Sequence, residues 1–213
     1  MMLSGPTFFA GNLADSLVVM LHGRGASGDN MMTLATGMSK KLPSAKFVAP
    51  HAPKAYGTGY TWFSDSVRNM DEKTAFIEII EHAEIVSKFI DTQLEELRIG
   101  DDKLSLVGFS QGAMLAIYIG LSRAKKCAAV VAYSGAIPFP HLLKTRMVSK
   151  PDICVMHGRS DEVIPFSYFE ESVAFLKENG VPVADHAMHG LDHRINNEGL
   201  EIGSQFIKER LRN

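Results

Sequence analysis

The sequence predicts an α/β layer fold, a mainly parallel sheet of about seven strands flanked by helices. Three observations predict it. Short apolar, β-rich runs alternate with longer stretches of helical period along the whole chain. Its 213 residues are 46% hydrophobic and 22% charged, the balance of a globular domain that can bury a core without disulfides or metals. No repeat, linker or low-complexity tract divides them, so residues 1–213 read as one domain.

The strand-like runs are 7–10, 16–21, 46–49, 104–109, 128–133, 153–156 and 181–188. Helical stretches at 30–42, 74–98, 112–123, 165–179 and 196–211 lie among them. In the second of these, Phe76, Ile79, Ile80, Ala83, Ile85, Ile90 and Leu94 recur at threes and fours and make an apolar face. His82 reads as a surface residue of that helix. Gly100 reads as its stop, and Gly180 as the stop of the helix ending at Asn179.

Several function classes are excluded early. Net charge is −2 with no block of like charges, so there is no basic footprint for nucleic acid. No stretch approaches the roughly 18 apolar residues of a membrane span. The stretch from Met1 to Pro6 lacks the basic and apolar regions of a leader peptide. Cys127 and Cys154 each sit in an apolar run and read as buried free thiols, which points to a cytoplasmic protein.

Chemistry enters at Gly108-Phe109-Ser110-Gln111-Gly112, between an apolar strand and a helix-forming run. A serine on such a turn is lifted clear of the sheet, at the positive end of a helix. Its hydroxyl needs a base, and the base needs an acid, supplied by later strand ends in the order Ser, Asp or Glu, His. Asp161 follows the strand at 153–156, with Glu162 and Asp192 as rivals. His193 follows the strand at 181–188, with His189 as its competitor, while His186 lies within that strand. The glycine-rich turn His22-Gly23-Arg24-Gly25 and the residue after the nucleophile offer N–H groups to an oxyanion, at Arg24 and Gln111. The Arg24 guanidinium itself reads as solvated at the rim.

The same turn satisfies G-x-G-x-x-G through Gly23, Gly25 and Gly28, so a dinucleotide site is a rival. Such a site needs an acid at the end of the second strand for the ribose. None occurs between Asp29 and Asp65.

These motifs, with Ala49-Pro50-His51-Ala52-Pro53, Trp62-Phe63, His157-Gly158 and Ile164-Pro165, resemble the phospholipase/carboxylesterase family of α/β-hydrolases, which includes acyl-protein thioesterases. The resemblance spans nearly the whole chain. It implies an α/β-hydrolase fold with Ser110 as nucleophile, Asp161 as acid, His193 as base and an oxyanion hole at Arg24 and Gln111. It implies a carboxylic ester hydrolase without metal or cofactor, active on a small acyl ester or thioester, as a monomer or homodimer. Acyl-protein thioesterases usually carry an apolar residue where Arg24 stands, and a longer, more apolar segment before Trp62. Both departures point to the bacterial esterases of the group. Residues 135–151 leave room for a loop and short helix but no cap domain. An open groove is therefore expected, lined by Tyr60, Trp62, Ile137 and Phe139 together with Tyr56, and suited to short-to-medium acyl groups; Phe63 reads as a core plug.

Overall fold

A computed structural model describes residues 3–11 and 13–211. Met1 and Met2, part of the stretch read for a leader, lie outside the described residues. Nine strands and six α-helices are assigned within them. The strands are β1 (Thr7–Phe8), β2 (Ser16–Leu21), β3 (Ala45–Val48), β4 (Lys54–Tyr56), β5 (Gly59–Thr61), β6 (Leu104–Phe109), β7 (Ala129–Tyr133), β8 (Asp152–Gly158) and β9 (Val183–Met188). The helices are α1 (Gly28–Ser39), α2 (Glu72–Leu97), α3 (Gln111–Ser122), α4 (Pro140–Lys144), α5 (Ser167–Glu178) and α6 (Asn197–Leu211).

Seven strands form one sheet in the order β1-β3-β2-β6-β7-β8-β9, parallel except at β1. Strand alternation sends side chains to two faces, and both faces are covered. Leu17, Val19, Leu106, Val130 and Val155 pack beneath α2, α3 and α5, against Ile79, Leu115 and Leu176. Val18, Met20, Val131 and Met156 face the other way, onto Met38 of α1 and Ile207 of α6. Three layers result. Every residue of β2, β7 and α3 up to Leu121 is buried, as a central strand–helix unit between two cores requires.

The predicted sheet is present, with strand ends shifted by at most two residues. Cys127 and Cys154 are buried and free, and burial pushes each thiol up to about 12. The short segment after β7 holds one short helix, α4, and no cap. Gly180 adopts φ +66° and ends α5 as expected, its N–H bonding Lys177 O.

Two local readings are corrected. Helix α2 stops on Arg98, which takes the left-handed conformation at φ 56°, while Gly100 opens the following 3₁₀ turn in extended backbone. His82 is buried rather than surface, because its Nδ1 reaches back 2.7 Å to Glu78 O and its ring meets the Phe63 edge in the core. Among the described residues no helix is long and apolar enough to cross a membrane.

Candidate active site

At the join of β6 and α3 the chain turns on Ser110, at φ 54° and ψ −119°. This backbone costs a non-glycine residue about 1–3 kcal/mol and persists only where the surroundings over-determine it. They do so here. Ser110 N–H donates to Tyr133 O at 3.0 Å, while Ser110 O accepts from Ala113 and Met114 N–H at 3.0 and 3.1 Å. The flanking glycines permit the approach: a Cβ on Gly108 would stand 2.3 Å from Gly112 O, and one on Gly112 2.0 Å from Leu21 O. Ser110 Oγ has no hydrogen-bond partner among the described residues, at the positive end of a 12-residue helix.

The turn after β2 is held by His22. Its Nε2 accepts from Ala52 N–H at 3.0 Å, so the proton sits on Nδ1, which donates to Gly23 O at 2.7 Å. Burial lowers the His22 pKa and keeps the ring neutral. Gly23 C=O and Arg24 N–H belong to one planar peptide unit and point in opposite directions. Anchoring the carbonyl therefore fixes the direction of the Arg24 N–H. Neither that N–H nor the N–H of Gln111 meets an acceptor among the described residues.

Asp161 lies three residues beyond β8, with a fully buried carboxylate. Oδ1 accepts from the N–H groups of Val163 and Ile164 at 2.9 and 2.8 Å. Oδ2 faces His193 Nδ1 at 2.7 Å. His157, also fully buried, donates Nε2 to Ile164 O at 2.9 Å and brings that nitrogen within 3.3 Å of Asp161 Oδ2. The His193 ring packs on Phe109, neighbour of Ser110, at 4.8 Å between centroids. Of the rivals, Glu162 and His189 are exposed, and Asp192 pairs with Arg194.

Residues 10–211 match the sequence pattern of the Phospholipase/Carboxylesterase family. The chain belongs to this family. Acyl-protein thioesterase 1 of Cryptococcus neoformans var. neoformans serotype D is 31% identical over 176 residues, which cover 75% of this chain and 71% of that protein. Carboxylesterase SOBER1 of Arabidopsis thaliana is 26% identical over 215 residues, covering 94% and 92%. Among solved structures, esterase PE8 superposes with a TM-score of 0.92 at 32% identity, covering 98% of this chain and 99% of that one. Family membership makes the protein a carboxylesterase-type hydrolase, and its fold is that of the α/β-hydrolases.

In this family member a cavity of about 210 Å³ opens beside Ser110, lined by Val67, Met114, Ala136, Pro138, Ile164 and Tyr168, with Arg24 and residues 66–68 at one side. The four side chains expected to line it do not. Trp62 is wholly buried, its Nε1 donating to His22 O at 2.9 Å, so it braces the turn after β2 from behind. Tyr60 stacks on His51 and exchanges backbone hydrogen bonds with Gly25 and Ala26, on the far side of the same turn. Ile137 points into the core, leaving its neighbours Ala136 and Pro138 on the cavity wall. Phe139 opens α4 in the left-handed region and packs against the core edge. Phe63 is in the core as read, and Tyr56 lies under the Arg24 guanidinium, 4.4 Å from ring centroid to Cζ. A wider groove of about 640 Å³ lies between α2 and the end of α3, remote from Ser110.

Sequence reading missed the β4–β5 hairpin, which supports both N–H donors. Gly25 N–H bonds Tyr60 O at 2.8 Å, and Trp62 N–H bonds Gln111 Oε1 at 3.2 Å. Its signal was Gly57-Thr58, a glycine-led two-residue turn between Tyr56 and Gly59. At the rival dinucleotide turn three of the first four N–H groups of α1 are already taken: Gly28 by His51 Nδ1, Asn30 by Ser27 Oγ and Met31 by Ser27 O. No group of three or more His, Cys, Asp or Glu side chains suited to a metal ion occurs among the described residues.

The buried histidines give a pH prediction. Burial lowers the pKa of His22, His82 and His157, whereas in the unfolded chain they titrate near 6.5. As pH falls below that value the unfolded state binds protons that the folded state refuses. Stability present above about pH 6.5 is therefore lost toward the lower folded-state values, at about 1.4 kcal/mol per group and pH unit. The thermal midpoint is expected to drop between pH 6.5 and 5. His82→Asn, which keeps a donor for Glu78 O but cannot titrate, should remove about a third of the slope. A flat midpoint across this range contradicts the reading.

Proposed function

We propose that this chain cleaves carboxylic esters of short-to-medium acyl chains through an acyl-enzyme on Ser110, and that thioesters pass by the same route. The observation that carries the reading is the 2.7 Å bond from His193 Nδ1 to Asp161 Oδ2, next to a serine on a strained turn at a helix head. With its proton on Nδ1, His193 offers a bare Nε2 as base. It takes the Ser110 proton as Oγ attacks the carbonyl carbon, and returns it to the departing alcohol or thiol. Asp161 stabilises the imidazolium. The N–H groups of Arg24 and Gln111 receive the oxyanion, each worth about 3–4 kcal/mol in the transition state. Water then repeats the cycle and frees the acid. In the resting structure Ser110 Oγ is not bonded to His193, a looseness common before substrate binds. Residues 1–213 act as one domain, and the two buried free thiols suit a cytoplasmic setting.

A cavity of about 210 Å³ whose side is crossed by residues 66–68 encloses little of a long tail. Each enclosed methylene contributes about 0.8 kcal/mol, or roughly fourfold in kcat/KM. Across p-nitrophenyl esters from acetate to palmitate, kcat/KM is expected to rise over the first few methylenes and then stop. A maximum at palmitate overturns the chain-length reading, and no turnover of any ester overturns the hydrolase reading.

A further inference from the structure

Two guanidinium groups stand at the side of the acyl cavity, and the chemistry above leaves both unused. Arg68, an exposed side chain, donates Nη2 to Val163 O at 2.9 Å, a neutral acceptor, and pairs with no carboxylate among the described residues. Arg24 is met by one carboxylate, Asp65 Oδ1 at 3.2 Å, and that side chain is 48% exposed. The Arg24 Nε is buried without a partner. The charge of Asp161 is already engaged by His193 and two backbone N–H groups. Among the described residues Asp65 is the one carboxylate paired with either Arg24 or Arg68, which leaves one cation unanswered beside a mainly apolar cavity.

A guanidinium without a carboxylate partner at the margin of a mainly apolar cavity favours an anion. Its planar fork holds a carboxylate through two parallel hydrogen bonds, a geometric preference that persists where solvent and salt screen the charge. The apolar surface of Met114, Ala136 and Ile164 takes methylenes between the scissile carbonyl and that anion. Resting on the esterase reading above, we propose that the preferred acyl group ends in a carboxylate: the substrates are half-esters of dicarboxylic acids, with Arg68 reading the free acid. Hydrolysis then releases a dicarboxylate and the alcohol.

The test compares two p-nitrophenyl esters of adipic acid on the full chain, one with a free second carboxylate and one with that carboxylate methylated. The free acid is expected to be favoured about tenfold in kcat/KM at low ionic strength, mainly through KM. Added salt should shrink the ratio. Arg68→Gln should bring it close to one, and Arg68→Lys, which keeps the charge but not the fork, should leave part of it. Turnover of the methyl ester with no preference for the free acid overturns the inference and leaves the hydrolase reading standing. A preference that survives Arg68→Gln overturns it as well, as does one that appears only when the carboxylate is moved to the phenol. If Arg68→Gln does not fold, the salt response of the wild-type ratio decides, and a ratio indifferent to salt counts against the proposal. Absence of turnover with either ester brings down both readings together.

Discussion

Replacing Ser110 by alanine is expected to lower kcat by at least about a thousandfold while leaving the fold intact. The two halves of this expectation have separate physical grounds. The hydroxyl oxygen forms the bond to the acyl group, and no neighbouring side chain stands on the same turn to replace it. Its removal costs the fold little, because Oγ has no hydrogen-bond partner among the described residues and the turn is held by backbone bonds to Tyr133, Ala113 and Met114. Alanine suffers the positive φ as serine does, so the strain is unchanged and stability should move by less than about 1 kcal/mol. Labelling by a fluorophosphonate should vanish in the variant while its thermal midpoint stays near that of the parent. Residual activity above about a thousandth would place the nucleophile elsewhere.

The parts of the fold legible in the sequence are those with a local cause. Strand β2 shows as an unbroken apolar run because it is covered on both faces, and the turn at Ser110 shows because two close backbone approaches demand glycines at 108 and 112. The order of Ser110, Asp161 and His193 shows because each follows a strand that the pattern reveals. What stayed hidden depends on distant partners. The β4–β5 hairpin is three residues a side, too short for periodicity, and its purpose lies with Gly25 and Gln111. His82 sits three residues after Ile79 and one before Ala83, on the apolar face, yet its polar type disguised it until the bond to Glu78 O was seen. Loops carry no period at all. In the loop after β7 size and apolarity therefore point to Ile137 and Phe139 as cavity walls, whereas Ala136 and Pro138 line the cavity and Ile137 points inward. Trp62 misled in the same way: size and position near the site suggested contact with substrate, whereas its indole serves the backbone of His22.

Replacing Asp161 by asparagine is expected to lower kcat about ten-thousandfold, a change that tests the acid assignment to a single residue. Asparagine has the shape of aspartate, and its Oδ1 can keep the bonds from Val163 and Ile164 N–H that hold the loop. The change is confined to the other atom. Where Oδ2 now accepts from His193 Nδ1, an amide nitrogen would present hydrogens, and the imidazole must answer with a lone pair. That moves the His193 proton to Nε2, the nitrogen that should receive the Ser110 proton, and the base is blocked. Far-UV dichroism should match the parent, so that the loss cannot be assigned to unfolding. Glu162→Gln is the control: the side chain is exposed, and its loss of charge should leave kcat within about twofold. Were Glu162→Gln to stop turnover while Asp161→Asn did not, the acid would be the neighbouring residue, and the 2.7 Å contact would be structural only.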